Sequence, residues 1–306
     1  MPELSVRCAG IALRNPLLLA SGIWGESGES LVGAWKAGAG GVITKSIGSL
    51  PRPGYPNPTI ESYDRWGMLN AMGLPNPGIE EYPQEIAIAL GAGATVIGSV
   101  FGGDAEEFAR LAAAMAKTGV CAIELNLSCP HAKGYGSEIG SDPTQVEEVV
   151  RAVTRAVPLP VIAKITPNAA DPAGLAAAAE RGGAAAVSAI NTLRALAIDV
   201  ELRRPILSHR LGGFSGPAIK PIGLACVWQI RERVRIPIIG VGGIASGRDV
   251  LEYLMAGASA VEIGTQVAFE GIGAFGRIGR ELSELLDRLG FARASDATGV
   301  AHSATS

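Results

Sequence analysis

Histidine is scarce in this sequence. The 306 residues include 3, His131, His209 and His302, and no two stand at the spacing of a metal-binding pair. That argues against a metal centre. Cysteine is nearly as rare: Cys8, Cys121, Cys129 and Cys226 form no CxxC pair, and no signal-peptide pattern precedes them. A disulfide framework and an iron–sulfur cluster are thereby excluded, and a reducing cytoplasm is expected. Charge of one sign is lacking too. The net charge of −3 and isoelectric point near 5.7 leave no basic patch to draw nucleic acid or a membrane surface. The most apolar stretch, "EIAIALGAGATVIGSVFGG", is broken by glycines and flanked by acids, so it reads as helix then strand rather than a membrane span.

Glycine and small apolar residues are what the chain has in quantity, with 41 Gly and 48% hydrophobic residues. The length suits two domains or one large α/β barrel. Short apolar runs alternate with segments of helical period. The runs are "PLLLASG", "GGVITKS", "TVIGSV", "CAIELNLS", "PVIAKIT", "AAVSAIN", "PIIGVGG" and "AVEIGT". Several intervening segments open on Asp or Ser-Gly and close on Gly, as capped helices do. The alternation predicts a (β/α)8 barrel in one domain spanning 1–306, with an open doubly wound sheet as the other arrangement. Two connections, Gly48 to Pro77 and Arg194 to Pro217, exceed plain loops and follow strand C-terminal ends, the face where barrel active sites are built. They read as lids or partner surfaces. The tail after Ala292 is Ser/Ala-rich and is expected to fray.

Polar residues gather where strands end: Ser21, Lys45, Ser46, Ser99, Asn126, Ser128, Cys129, Lys164, Asn191, Thr192, Gly242, Gly243, Gly264 and Thr265. On a barrel these positions converge. "VGGIASGRDV" and "IGT" would let backbone N–H groups approach a phosphate with a helix N-terminus behind it, although the same glycines could serve tight turns alone. Lys45 and Lys164 close apolar strands, where each needs an anion or an electron-rich ring unless it reaches solvent or a structural acid. A flavin would account for both. Cys129 would ordinarily be a buried structural thiol. Its strand-end place beside Asn126 and Ser128 points instead to a nucleophile or general base.

"TKS", "NAMGLPNPG", "NLSCPH" with downstream "GSDP", "AINT", "GGFSGPAIKP" and "IGVGGIASGRDVLEYLMAGASAVEIGT" together resemble the class 1 dihydroorotate dehydrogenases over nearly the whole chain. "GFSGPAIKPIGL" is closer to the class 1B catalytic subunit than to the fumarate-using class 1A enzymes. The resemblance implies FMN at the C-terminal face of the barrel. It also implies oxidation of dihydroorotate to orotate for pyrimidine synthesis. Cys129 would be the base that takes the C5 proton while hydride leaves C6 for the flavin, with Lys45 beside it. Lys45, Asn126, Asn191, Thr192 and the stretch Asn70, Ala71, Met72, Gly73 and Leu74 would hold the substrate. FMN would be lined by Ser21, Lys45, Ser46, Ser99, Asn126, Lys164, Ile190, Gly216, Gly242, Gly243, Gly264 and Thr265. Ser99 departs from the family, which usually has Asn there. Class 1B likeness further implies a homodimer joined to a subunit carrying FAD and a [2Fe–2S] cluster, with NAD as final acceptor. The "SCPH" histidine is shared with dihydropyrimidine dehydrogenases, so a subunit of that kind is an alternative, as are a non-redox phosphate-binding barrel and a non-catalytic scaffold.

Overall fold

The eight apolar runs lie side by side, all parallel, and close into a barrel. The structure is a computed structural model describing residues 1–127 and 139–303. In chain order the barrel strands are β1 (Leu17–Leu19), β2 (Gly41–Ile43), β3 (Val96–Val100), β4 (Ala122–Asn126), β5 (Val161–Ile165), β6 (Ala186–Ala189), β7 (Ile238–Val241) and β8 (Ala260–Ile263). β8 pairs with β1, Ile263 opposite Leu19, which completes the ring. The outer helices are α1 (Gly28–Lys36), α2 (Pro83–Gly91), α3 (Ala105–Ala116), α4 (Pro143–Ala156), α5 (Pro172–Gly182), α6 (Lys220–Arg233), α7 (Gly247–Met255) and α8 (Ala274–Arg288). The (β/α)8 barrel expected from the alternation is the fold.

Local chemistry starts and orients these helices. Asp104 accepts from the Glu107 amide, Asp142 from the Thr144 amide and Asp171 from the Gly174 amide, each cap worth about 1 kcal/mol. Pro143 and Pro172 occupy first-turn positions where no N–H is needed. On α4 the buried residues are Val146, Val149, Val150 and Val153, a helical stripe laid against the strands. The strands are buried on both faces, as parallel strands wrapped by helices must be. The exceptions in composition matter most: Glu124, Lys164 and Glu262 are fully enclosed within such strands.

The two long connections fold together. Ile60–Tyr63 and Gly67–Asn70 come from the first, Leu193–Ala195 and Gly212–Ser215 from the second, and they form one four-stranded antiparallel sheet. Gly213 pairs with Asn70 and Ser215 with Met68 across the joint. Asn76 knits the first connection to the barrel: its Oδ1 accepts from the Gly48 and Gly78 amides and its Nδ2 donates to the Leu74 carbonyl.

The chain ends are also tied down. Val6–Cys8 and Ile11–Leu13 form a hairpin whose Val6, Cys8 and Leu13 join the core. The tail corrects the expectation of fraying, at least as far as residue 303. The Glu3 amide donates to the Ala292 carbonyl and the Ala294 amide to the Glu3 carbonyl. Ala294 and Ala297 are buried, and His302 stacks on Trp228 with ring centroids 3.6 Å apart. Small apolar residues among the serines are what anchor it.

Candidate active site

The strand C-terminal ends and the four-stranded sheet enclose a cavity of about 250 Å³. Of the residues expected at a flavin, Ser21, Lys45, Ser46, Asn126, Lys164, Ile190, Gly216, Gly242, Gly243, Gly264 and Thr265 line it. So do Asn70, Met72, Gly73, Leu74, Asn191 and Thr192, expected at the substrate. Two expected residues do not. Ala71 faces a small apolar cluster with Leu69 and Leu207. Ser99 is fully buried beneath the wall, its Oγ 2.9 Å from Ser46 Oγ and 3.2 Å from Glu124 Oε1. Cys129, with Ser128 and His131, lies outside the described residues.

The floor is a charged cluster that strand-end reading did not find. Lys164 on β5 donates to Glu262 Oε2 on β8 at 2.6 Å and to Ser21 Oγ at 3.1 Å. Glu124 Oε2 on β4 stands 3.7 Å from the same ammonium. Burial works against the Lys164 charge, but the two carboxylates outweigh it and hold the ammonium above its usual range. Burial, reinforced by the Glu124 charge, pushes Glu262 up to about 8 even against the pull of Lys164. Glu124 and Glu262 were missed because they sit mid-strand, in "CAIELNLS" and "AVEIGT". An acid in the centre of an apolar run is itself the signal, since it must find a cation inside.

Lys45 stands apart from that cluster. Its backbone N–H donates to the Gly25 carbonyl, which also accepts from Tyr82 Oη at 2.5 Å. This fixes the side chain at the mouth, where Nζ meets Glu26 Oε1 at 3.3 Å; Lys45 is 6% exposed and Glu26 67%. An incoming anion would compete with a partner that water already screens.

The opposite edge is built for close backbone approach. Gly243 has φ of +71°, and a Cβ there would stand 2.8 Å from the Lys220 amide nitrogen and 2.9 Å from the Gly216 carbonyl oxygen. Only glycine fits. Asp249 locks this turn by accepting from the Ala245 amide at 3.0 Å and Ser246 Oγ at 2.8 Å, while Lys220 Nζ holds it at 2.6 Å. α7 starts directly behind, capped by Ser246. Glycine edge and helix start together suit a phosphate. On the wall between, Asn126 Oδ1 and Glu262 Oε1 are buried without a partner among the described residues. Orphaned polar atoms lining a cavity are hydrogen-bonding capacity reserved for a ligand. A ligand with a polar ring and a phosphate, as FMN has, fits this set.

A closed barrel with a roofed cavity at its C-terminal mouth, a lysine in the floor and a phosphate-ready glycine edge defines a small-molecule (β/α)8-barrel enzyme. Residues 3–286 match the protein family described as dihydroorotate dehydrogenase. The chain is 52% identical over 298 residues to the dihydroorotate dehydrogenase B (NAD(+)) catalytic subunit of Pyrococcus horikoshii, covering 97% of each chain. It is 50% identical over 299 residues to the protein of that name from Pyrococcus furiosus, covering 98% of this chain and 99% of the relative. With that of Methanocella arvoryzae it shares 46% over 300 residues, 98% of each. The chain belongs to the dihydroorotate dehydrogenase family. No helix among the described residues is long and apolar enough to cross a membrane.

Proposed function

We propose that this chain oxidises dihydroorotate to orotate, the oxidation that feeds pyrimidine synthesis, with FMN held in the barrel mouth. One observation carries the reading: the family match runs through the barrel from residue 3 to residue 286, and the cavity gathers the lysines, asparagines and glycines that the chemistry needs. FMN, when bound, supplies the acceptor for the hydride leaving C6. The glycine edge at Gly242, Gly243, Gly264 and Thr265 would hold its phosphate. Lys164, Ser21, Ser46 and Asn126 would face its ring.

The chain's own groups do the rest. Lys45 would take the substrate carboxylate in place of Glu26. Asn70, Asn126 and Asn191 offer amides that both donate and accept, which matches a ring carrying alternating C=O and N–H groups. Cys129 would remove the C5 proton. The sheet built from both insertions covers the cavity and excludes water from the transfer.

Anaerobic mixing with dihydroorotate is the direct test. The flavin of the purified protein should bleach and orotate should appear in equal amount. Colourless protein that takes up no FMN, or bleaching by dihydrouracil and not dihydroorotate, would overturn the reading.

The curated relatives are named catalytic subunits that use NAD(+). The class 1B resemblance supports a partner subunit that would bear FAD and a [2Fe–2S] cluster and pass electrons to NAD, in a cytoplasmic assembly around a homodimer of this chain. NAD reduction by dihydroorotate should require the co-purifying subunit. Rapid fumarate reduction by the isolated chain would place it with class 1A instead.

A further inference from the structure

Two carboxylates share one ammonium in the floor of the cavity, and their surroundings differ. Glu124 is surrounded by hydroxyls: Ser21 Oγ donates to its Oε1 at 2.7 Å, Ser99 Oγ to the same atom at 3.2 Å, and Ser188 Oγ to Oε2 at 3.4 Å. Such a shell solvates a negative charge. Glu262 has Lys164 at Oε2 and, among the described residues, nothing at Oε1, although it is only 1% exposed. The groups that face it are Lys164 from β5, Glu124 from β4 and the thiol of Cys8 from the N-terminal hairpin. The Cys8 thiol, pushed up to about 12 by burial and by Glu262, stays neutral. With both carboxylates ionised the floor carries a net −1; with one protonated it is neutral.

We propose that Glu262 keeps a proton and is a positioning residue for the ring ligand: it neutralises the floor, leaves the Lys164 charge available to the ligand's electron-rich edge, and makes a carboxyl at the cavity floor a hydrogen-bond donor instead of an anion. The proton belongs on Glu262 because, among the described residues, Glu124 has three hydroxyl donors besides the shared ammonium to stabilise its charge, whereas Glu262 has the ammonium alone. Deprotonation would add an uncompensated negative charge facing the ligand. Ligand binding is therefore linked to this proton and weakens as it leaves. The proposal rests on the FMN reading of the cavity only for the identity of the ligand.

The test has two arms. FMN-free protein is titrated with FMN above the ionisation of the phosphate, from about pH 7 to about pH 9.5, following flavin fluorescence. The wild-type dissociation constant should rise about tenfold across that range, whereas E262Q, a permanent neutral mimic, should change less than about threefold. Infrared difference spectra of the FMN-free protein should show a protonated-carboxyl band that disappears over the same alkaline range and is missing in E262Q. Should E262Q fail to fold, the wild-type infrared titration decides alone. The proposal is overturned if that band titrates in the ordinary carboxylate range, or if wild type and E262Q share one pH profile. Failure to bind FMN at any pH would sink the flavin reading, while the infrared arm would still judge Glu262.

Discussion

Lys164 Nζ and Glu262 Oε2 meet at 2.6 Å across the barrel, from β5 to β8, and both residues are buried. This pair ties two strands that are not neighbours in the sheet, and it does so beneath the cavity where a ligand would sit. Its strength depends on a third group, Glu124, so changes to any one member propagate to the others.

Removing the ammonium should be costly. Lys164→Met leaves the enclosed Glu124 carboxylate beside the protonated Glu262 without a counter-charge, and the loss should be about 3–5 kcal/mol near neutral pH. Urea unfolding of wild type and variant at about pH 7.5 checks this. FMN affinity should fall as well. A deficit under about 1 kcal/mol would show that Lys164 is not the counter-charge of the floor.

Wild-type stability should carry the signature of Glu262. Its ordinary value of 4.5 is raised to about 8 in the fold. Between those values the folded state holds a proton that the unfolded chain has released. This contribution is complete below about pH 4.5, declines as pH climbs, and is gone above about pH 8. Thermal midpoints of wild type and E262Q, compared at about pH 6 and pH 9, should converge or cross towards the alkaline side. Parallel profiles would contradict the assignment.

The eight strands and helices could be read directly, because each is a local signal: an apolar run, then a capped amphipathic stretch. The cavity lining could be read in the same way, since a barrel brings strand ends together whatever their separation. The roof could not. Gly67–Asn70 and Gly212–Ser215 are four-residue strands that pair across a long stretch of chain, and neither carries a pattern that names its partner. The acid of Glu262 is visible mid-strand in the sequence, but its partners are not. Its role depends on where Lys164 and Glu124 point, which is a tertiary fact. Ser99 lies at a strand end as expected, but it is buried behind Ser46 and does not line the cavity.

Cys129 is expected to act on the substrate's proton and not on FMN binding. Cys129→Ala should bind FMN normally and bleach with dihydroorotate at least about a hundredfold more slowly, within the usual range for losing a general base. Cys129→Ser should regain part of that rate as pH rises, because a hydroxyl is a weaker base at neutrality. Stopped-flow absorbance separates these outcomes, and undiminished bleaching by the Ala variant removes Cys129 from the reaction.

The glycine edge makes a separate prediction. A methyl group at Gly243 would push against the Lys220 amide and the Gly216 carbonyl in a backbone region that alanine disfavours. Gly243→Ala should weaken FMN about tenfold or more while affecting riboflavin far less, since the edge addresses the phosphate. Equal losses for the two ligands would mean the turn shapes the whole cavity instead.

The sheet over the cavity has a consequence for how the molecule becomes competent. Asn70 lies in the first half of the chain and Gly213 in the second, and they are direct partners in that sheet. Neither half therefore owns a roof. A chain divided between β4 and β5 yields two fragments, each with its own strands and helices and only one side of the covering sheet. Ligand capture thus reports the joining of the halves, and it should appear only after the ring has closed, as the last property the folding chain acquires.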